Sequence, residues 1–339
     1  MGPPGEEGRG PGEAGRTIFE SAREVIGRDV SIRLAGTPQV RDTGRTFGRY
    51  VDAVEIARGG MGAVYRAVDP ELGRPVAIKV ILGRDWAAHE GVTRFLREAQ
   101  ITGQLAHPNI PPLYELARTP GGQVYFAMKL IEGQSLASTL DELRARGPGA
   151  LAAERRRLLS AMVKVCQALA YAHSRGVVHR DLKPANIMVG EFGEVLVMDW
   201  GIARVPETDG GERSAEPVAV PAGDPQLTAD GVVMGTPAYM SPEQAEGQTA
   251  AIDARSDVYS LGAVLHECLT GESPHRGRNF PEILARVMSG RLERPSSRNP
   301  RAKIPAELDH LGGTCLQPDP AQRYQSAQDL ARELEAFLS

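Results

Sequence analysis

The stretch Val177-Val178-His179-Arg180-Asp181-Leu182-Lys183-Pro184-Ala185-Asn186 decides how the rest of the chain is read. It is a short polar loop between an apolar helical pattern and an apolar strand pattern, and loops held by rigid elements are where catalytic groups concentrate. It supplies an acid (Asp181), a cation (Lys183) and a neutral oxygen ligand (Asn186), with Pro184 stiffening the backbone between them. A polar turn that merely joined two elements could have the same composition. The partners on either side decide between the two.

Immediately before the loop, Leu158, Leu159, Met162, Val163, Cys166, Leu169 and Ala170 make the apolar face of a helix. Immediately after it, Val195 to Met198 reads as a buried strand that delivers Asp199-Trp200-Gly201. Further toward the N-terminus, Val51 to Ile56 and Ala63 to Val68 read as strands around a glycine-rich turn, Ala57-Arg58-Gly59-Gly60-Met61-Gly62. Glycines there let backbone amides approach phosphate oxygens without side-chain obstruction. Pro75 to Val80 is a β-rich run with one cation, Lys79, in an apolar setting; a mid-strand lysine by itself is usually solvent-facing. Val92, Phe95, Leu96 and Ala99 form a helical stripe beside Glu98, with Glu90 nearer the helix start. A strand follows over Val124 to Ile131.

Beyond the loop, residues 205–231 collapse into Pro, Gly, Glu, Asp, Ser and Ala, the composition of a long mobile insertion. It ends at Gly235-Thr236-Pro237-Ala238-Tyr239-Met240-Ser241-Pro242-Glu243. Asp253 to Thr270 is then a buried helix on Val258, Leu261, Val264, Leu265 and Leu269, and the chain finishes with an amphipathic helix over Ala327 to Leu338.

The 339 residues suffice for one large domain or two lobes with a sizeable core. A net charge of −4 gives no argument for a nucleic-acid partner or a polybasic membrane contact. Cys166, Cys268 and Cys315 lie far apart with no metal-ligand spacing and read as buried thiols in a reducing compartment. No run approaches the ~18 apolar residues of a membrane helix, and the N-terminus lacks the apolar core of a signal peptide. The expectation is a soluble, cytoplasmic chain without a membrane segment. Residues 1–46 read as an arm that is disordered or partly helical. Gly, Pro, Glu and Arg dominate its first fifteen positions, and Ile18, Phe19, Ala22, Val25 and Ile26 keep rough helical spacing. That segment is a linker or docks on a surface.

In this order the segments resemble the motifs of the protein kinase superfamily, in particular bacterial serine/threonine kinases of the eukaryotic type. The resemblance covers residues 47–339. The decisive loop is similar to H-R-D-L-x-x-x-N, Val76 to Lys79 to V-A-I-K, and Asp199 to Gly201 to D-F-G with Trp200 in place of Phe. Gly235 to Glu243 is similar to G-T-x-x-Y-x-A-P-E with Ser241 in place of Ala. The glycine turn is similar to G-x-G-x-x-G with Ala57 in the first position, which implies a modest cost to nucleotide affinity.

The resemblance implies an α+β, bilobal protein-kinase fold. A strand-rich N-lobe with one key helix covers about 47–128, a hinge about 129–132 and a mainly helical C-lobe about 133–339, with a mobile activation segment at 199–243. It implies transfer of the ATP γ-phosphate to protein Ser/Thr hydroxyls with magnesium, or manganese in its place. Asp181 would orient the acceptor hydroxyl and take its proton, Lys183 would stabilise the transferring oxygens, and Asn186 and Asp199 would hold the metal. Lys79 would reach the phosphates, locked by Glu98, with Glu90 as the alternative partner. The nucleotide pocket would be built from Ile56, Ala57, Gly59, Gly60, Gly62, Val64, Ala77, Lys79, Met128, Lys129, Ile131 and Met188, the hinge acting through main-chain atoms. Asp257 would cap the catalytic-loop backbone, and Arg323 would pair with Glu243.

Arg180 before Asp181 implies control by an activation-segment phosphate. Thr228 is the preferred site, with Ser214 and Thr208 as others; Arg180 and Arg204 are the cations that would receive the phosphate. Autophosphorylation would pass through a transient dimer. Lys183 and Thr236 point to Ser/Thr rather than Tyr acceptors, and Ile202 leans toward threonine. Ala185 gives no support for basic substrates. Two other classes stay open: a silent ATP-binding scaffold, suggested by Ala57 and Trp200, and a small-molecule phosphotransferase of the aminoglycoside-kinase kind, which the activation segment disfavours.

Overall fold

Alternation of apolar side chains on both faces of a sheet organises the first half of the fold. In a computed structural model, residues 44–58, 62–81, 89–147, 149–200 and 236–339 are described. Contacts divide the chain into Met1–Asp42 and Thr43–Ser339, and every described residue belongs to the second unit. Outside the described residues lie the arm up to position 43, Gly59, Gly60 and the stretch 201–235 with Ile202, Arg204, Thr208, Ser214 and Thr228, as well as the Glu90 side chain.

Strands β1 (Val51–Arg58), β2 (Gly62–Asp69), β3 (Arg74–Ile81), β4 (Leu113–Arg118) and β5 (Val124–Lys129) form an antiparallel sheet in the order β1-β2-β3-β5-β4. Successive side chains point to opposite faces. Val76, Ile78 and Val80 therefore join Phe47, Tyr50, Tyr65 and Tyr125 in one cluster. Ala77 and Ile81 face the other way, packing with Phe126, Met128 and, from helix α1 (His89–Gln104), Phe95 and Ala99. Lys79 falls on this second face by the same alternation, in register with Val64 and Phe126. β5 stops at Lys129, two residues short of the strand expected through Ile131, because the chain turns there toward β6.

The second half is helical around a small sheet. Helices α2 (Leu136–Ala145), α3 (Ala150–Ser174), α4 (Pro242–Ala245), α5 (Ala254–Thr270), α6 (Phe280–Met288), α7 (Pro295–Arg298), α8 (Ala306–Cys315) and α9 (Ala327–Leu338) accompany β6 (Gly133–Ser135), β7 (Ile187–Gly190) and β8 (Val195–Val197). Ser135 caps α2 through its hydroxyl, Asp253 caps α5, Asn279 caps α6 and Ser326 caps α9, each side chain accepting from a first-turn amide. α5 is buried from Ser256 to Thr270, the mark of a helix apolar nearly all round that runs through a core. Gly262 on α5 lies where a Cβ would collide with Cβ of Cys315, so the absence of a side chain sets how closely α5 and α8 approach. Cys166, Cys268 and Cys315 are free and buried. β8 ends one residue before the expected Met198, whose carbonyl is turned toward His179.

Candidate active site

The decisive loop leaves α3 and enters β7, and two side chains from the helical lobe fix its shape. Asp257, wholly buried near the start of α5, accepts from the His179 amide at 2.8 Å, the Arg180 amide at 2.9 Å and His173 Nε2 at 2.8 Å. Burial would raise the Asp257 carboxyl, but the hydrogen bonds from His173 and the Arg180 amide and the electrostatic influence of the two nearby histidines hold it below the ordinary aspartate value. Those bonds hold Arg180 at φ 70°, a left-handed conformation that a residue with a Cβ adopts only under constraint. Gln244 Nε2 donates to the Arg180 carbonyl at 2.8 Å from the other side.

Asp181 is the centre of the network that results. Its Oδ2 accepts from Lys183 Nζ at 2.7 Å and from Asn186 Nδ2 at 3.3 Å, and its Oδ1 from the Thr236 amide at 3.4 Å. Lys183 Nζ also donates to Thr236 Oγ1 at 3.1 Å, tying the loop to the end of the segment that closes at Glu243. Asn186 Nδ2 is committed to the Asp181 carbonyl at 2.8 Å, which leaves its Oδ1 as the outward acceptor.

Across the cleft, Lys79 Nζ lies 2.5 Å from Glu98 Oε1 and 2.9 Å from Asp199 Oδ1. The structure therefore pairs Lys79 with Glu98 of α1. Burial opposes the ammonium charge, but the two carboxylates outweigh it and raise the Lys79 pKa above the ordinary lysine value. Burial likewise works to raise Asp199, and the charge and hydrogen bond of Lys79 more than offset it, so Asp199 is held low and ionised. Its side chain stays 52% exposed to the cleft. Asp199 and Asn186 thus offer one carboxylate and one amide oxygen, a hard donor set that suits a divalent cation keeping several other oxygen ligands.

The proposed nucleotide residues follow the sheet register. Ala57 pairs with Val64, Val64 with Lys79, and Ala77 with Met128, so all five share the α1-facing side of the sheet. Val64, Leu130 and Met198 pack against the cluster that holds Ala77 and Met128. Ile56 is half-exposed on β1, and Met188 stands on β7 opposite Leu196. A Cβ at Gly62 would strike the Val80 carbonyl oxygen, so this glycine answers a close strand approach as well as any ligand. Lys129 Nζ turns away to Glu194 Oε1 at 2.9 Å, and Ile131 follows it in the connection to β6.

Arg323 binds Glu243 through two 2.8 Å contacts in the interior of the helical lobe. Several side-chain contacts at the site go beyond what the sequence motifs single out. His179 Nε2 donates to the Met198 carbonyl at 2.9 Å while its Nδ1 accepts from the Asp181 amide at 3.3 Å, so one ring fixes both the loop and the residue before Asp199. His173 reads as an ordinary basic residue in the last turn of α3. Gln244 does have a signal: Ser241 and Gln244 have the spacing of a capping box, and Gln244 Oε1 accepts from the Ser241 amide at 3.2 Å. Tyr239, the tyrosine of the Gly235–Glu243 motif, donates to Glu267 Oε2 at 2.5 Å, and Glu267 is also bound by Arg144, a pairing the motif does not indicate.

The sequence profile of the protein kinase domain matches residues 50–334, and the chain belongs to that family. It is 38% identical over 290 residues to serine/threonine-protein kinase PknD of Protochlamydia amoebophila, covering 84% of this chain and 29% of that protein. It is 39% identical over 292 residues to serine/threonine-protein kinase PknB of Mycolicibacterium smegmatis, covering 84% and 42%. A probable serine/threonine-protein kinase of Streptomyces coelicolor, SCO3848, is 37% identical over 300 residues, covering 87% and 40%. The chain thus spans less than half the length of these relatives. Among the described residues no helix is long and apolar enough to cross a membrane.

Proposed function

We propose that residues 47–339 transfer the γ-phosphoryl group of ATP to serine and threonine hydroxyls of proteins. The observation that carries the reading is the double engagement of Lys79 by Glu98 and Asp199, opposite the Asp181-Lys183-Asn186-Thr236 network. Little covalent chemistry is asked of the protein in such a transfer; positioning and charge stabilisation carry it. Bound magnesium, or manganese, would neutralise charge between the β- and γ-phosphate oxygens.

In this reading Asp199 and Asn186 hold the cation, and Lys79, steadied by Glu98, orients the phosphates. The glycine-rich turn between β1 and β2 covers them, and the main chain of Lys129 and Ile131 receives the adenine. Asp181 directs the acceptor hydroxyl and takes its proton, while Lys183 holds the transferring oxygens. Thr236, bonded to both Asp181 and Lys183, ties the substrate-facing segment to the base. Arg180 would receive a phosphate placed by autophosphorylation, within a transient dimer, on Thr228, Ser214 or Thr208. A cytoplasmic setting supplies the ATP and keeps Cys166, Cys268 and Cys315 reduced.

Intact mass after incubation with ATP and magnesium tests the reading. The wild type gains steps of one phosphate and labels a generic protein acceptor, whereas Asp181→Asn does neither. Equal labelling by the variant would refute the role of Asp181, and an amino sugar labelled in preference to protein would refute the acceptor class.

A further inference from the structure

Asp199 sits at φ 65°, a left-handed backbone that residues with a Cβ disfavour. Such a conformation persists only where its surroundings over-determine it. On its N-terminal side the constraint is plain: the Met198 amide donates to the Asn186 carbonyl at 2.8 Å, and the Met198 carbonyl accepts from His179 Nε2 at 2.9 Å. On its C-terminal side stands Trp200, 1% exposed, its ring centroid 4.7 Å from that of His179 and nearly edge-on. Its indole Nε1 donates to the Val197 carbonyl at 3.1 Å. That bond spans Met198 and Asp199 and closes a ring around the strained residue.

Phenylalanine would fill the same apolar space and meet His179, but it has no donor for Val197. The nitrogen is what tryptophan adds here. We propose that Trp200 is a positioning residue whose indole N–H latches Asp199 in the orientation facing Lys79. The inference rests on Asp199 being a metal ligand, and it assigns the C-terminal share of that ligand's preorganisation to one hydrogen bond.

The test uses the full chain with Trp200→Phe and with the isostere benzothienylalanine at position 200, which keeps the bicyclic shape and replaces N–H by sulfur. Two quantities are read: amide hydrogen exchange over residues 197–200, and affinity for a fluorescent ATP analogue with and without magnesium. Both substitutions should speed local exchange and weaken magnesium-dependent binding about three- to tenfold, the range of one neutral hydrogen bond, with metal-free affinity unchanged.

The proposal is overturned if exchange and magnesium dependence both stay within about twofold of wild type, the scale of a lost surface contact. It is equally overturned if binding weakens alike with and without metal, which would assign Trp200 to packing alone. Asp199→Asn separates this from the underlying reading. If that variant keeps the full magnesium dependence, the metal-ligand role of Asp199 falls, and exchange alone then decides the latch.

Discussion

Arg323 and Glu243 form a bidentate ion pair, Nη1 to Oε1 and Nη2 to Oε2 both at 2.8 Å, with the arginine side chain fully buried. The remaining guanidinium donors reach the carbonyls of Gln317, Pro318 and Arg255, so every N–H of Arg323 has an acceptor. Removing one partner strands the other: Arg323→Met should cost about 3–5 kcal/mol in urea denaturation at pH 7. Burial raises the Glu243 pKa, but hydrogen bonds from Arg323 and Ser256 prevail and hold it below its ordinary 4.5. A depressed folded-state pKa stabilises above the unfolded value, and that contribution disappears as pH falls through the folded one. The gap between wild type and Arg323→Met should therefore narrow below about pH 4.5, the ordinary range of a free glutamate. A gap that is constant from pH 7 to 3 would contradict this.

Asp257→Asn places an amide NH2 among donors that both carboxylate oxygens now serve. At least one buried donor loses its acceptor, at about 1–3 kcal/mol of stability. Because those amides hold Arg180 beside Asp181, kcat should fall about 10- to 100-fold, the scale of a small misplacement of catalytic groups. KM for ATP should stay within about threefold, since ground-state binding is elsewhere. Steady-state kinetics separates the two parameters.

Lys79→Met removes the cation that bridges Glu98 and Asp199 and should lower kcat/KM by about 10²–10³. Glu98→Gln should lower it less. The double variant should be no slower than Lys79→Met, because the glutamate acts through the lysine. Additive losses in this double-mutant cycle would show that Glu98 works independently.

Lys129→Ala breaks a pair with Glu194 in which both side chains are 40% or more exposed. Such pairs are worth about 0–1 kcal/mol. With adenine received by the main chain, as proposed, nucleotide affinity should move by less than about twofold, as expected of an exposed pair. Titration with a fluorescent nucleotide measures this, and a tenfold loss would mean that the ammonium itself contacts the ligand.

Gly262→Ala should destabilise the helical lobe by about 1–3 kcal/mol, the usual result of overpacking, although alanine is the better helix former. The added methyl meets Cys315 Cβ and the Leu316 side chain, which belong to the end of α8 and the residue after it. A thermal midpoint at or above that of wild type would show that the two elements can move apart.

Much of the fold and the site is legible because the informative residues sit at strongly periodic or punctuated positions. The α5 stripe, the strand carrying Lys79 and the terminal helix α9 all follow from apolar spacing, and α9 ends where the pattern does. Glu98 is preferred over Glu90 by its distance from the helix start. Strand ends are less legible: whether Met198 continues β8 depends on His179, nineteen residues earlier, which takes its carbonyl. The same holds for His173 and Tyr239. Their partners, Asp257 and Glu267, are 84 and 28 residues away, and no local pattern encodes a pairing made by tertiary packing.

The ammonium of Lys79 reads two acids that lie 19 and 120 residues from it along the chain. One arrives on the helix behind the sheet and the other on the stretch that follows β8. A single atom is thus where two remote parts of the polypeptide converge. Withdrawing either acid would leave the other as the sole carboxylate contact of that ammonium, so two distant segments bear on one charge.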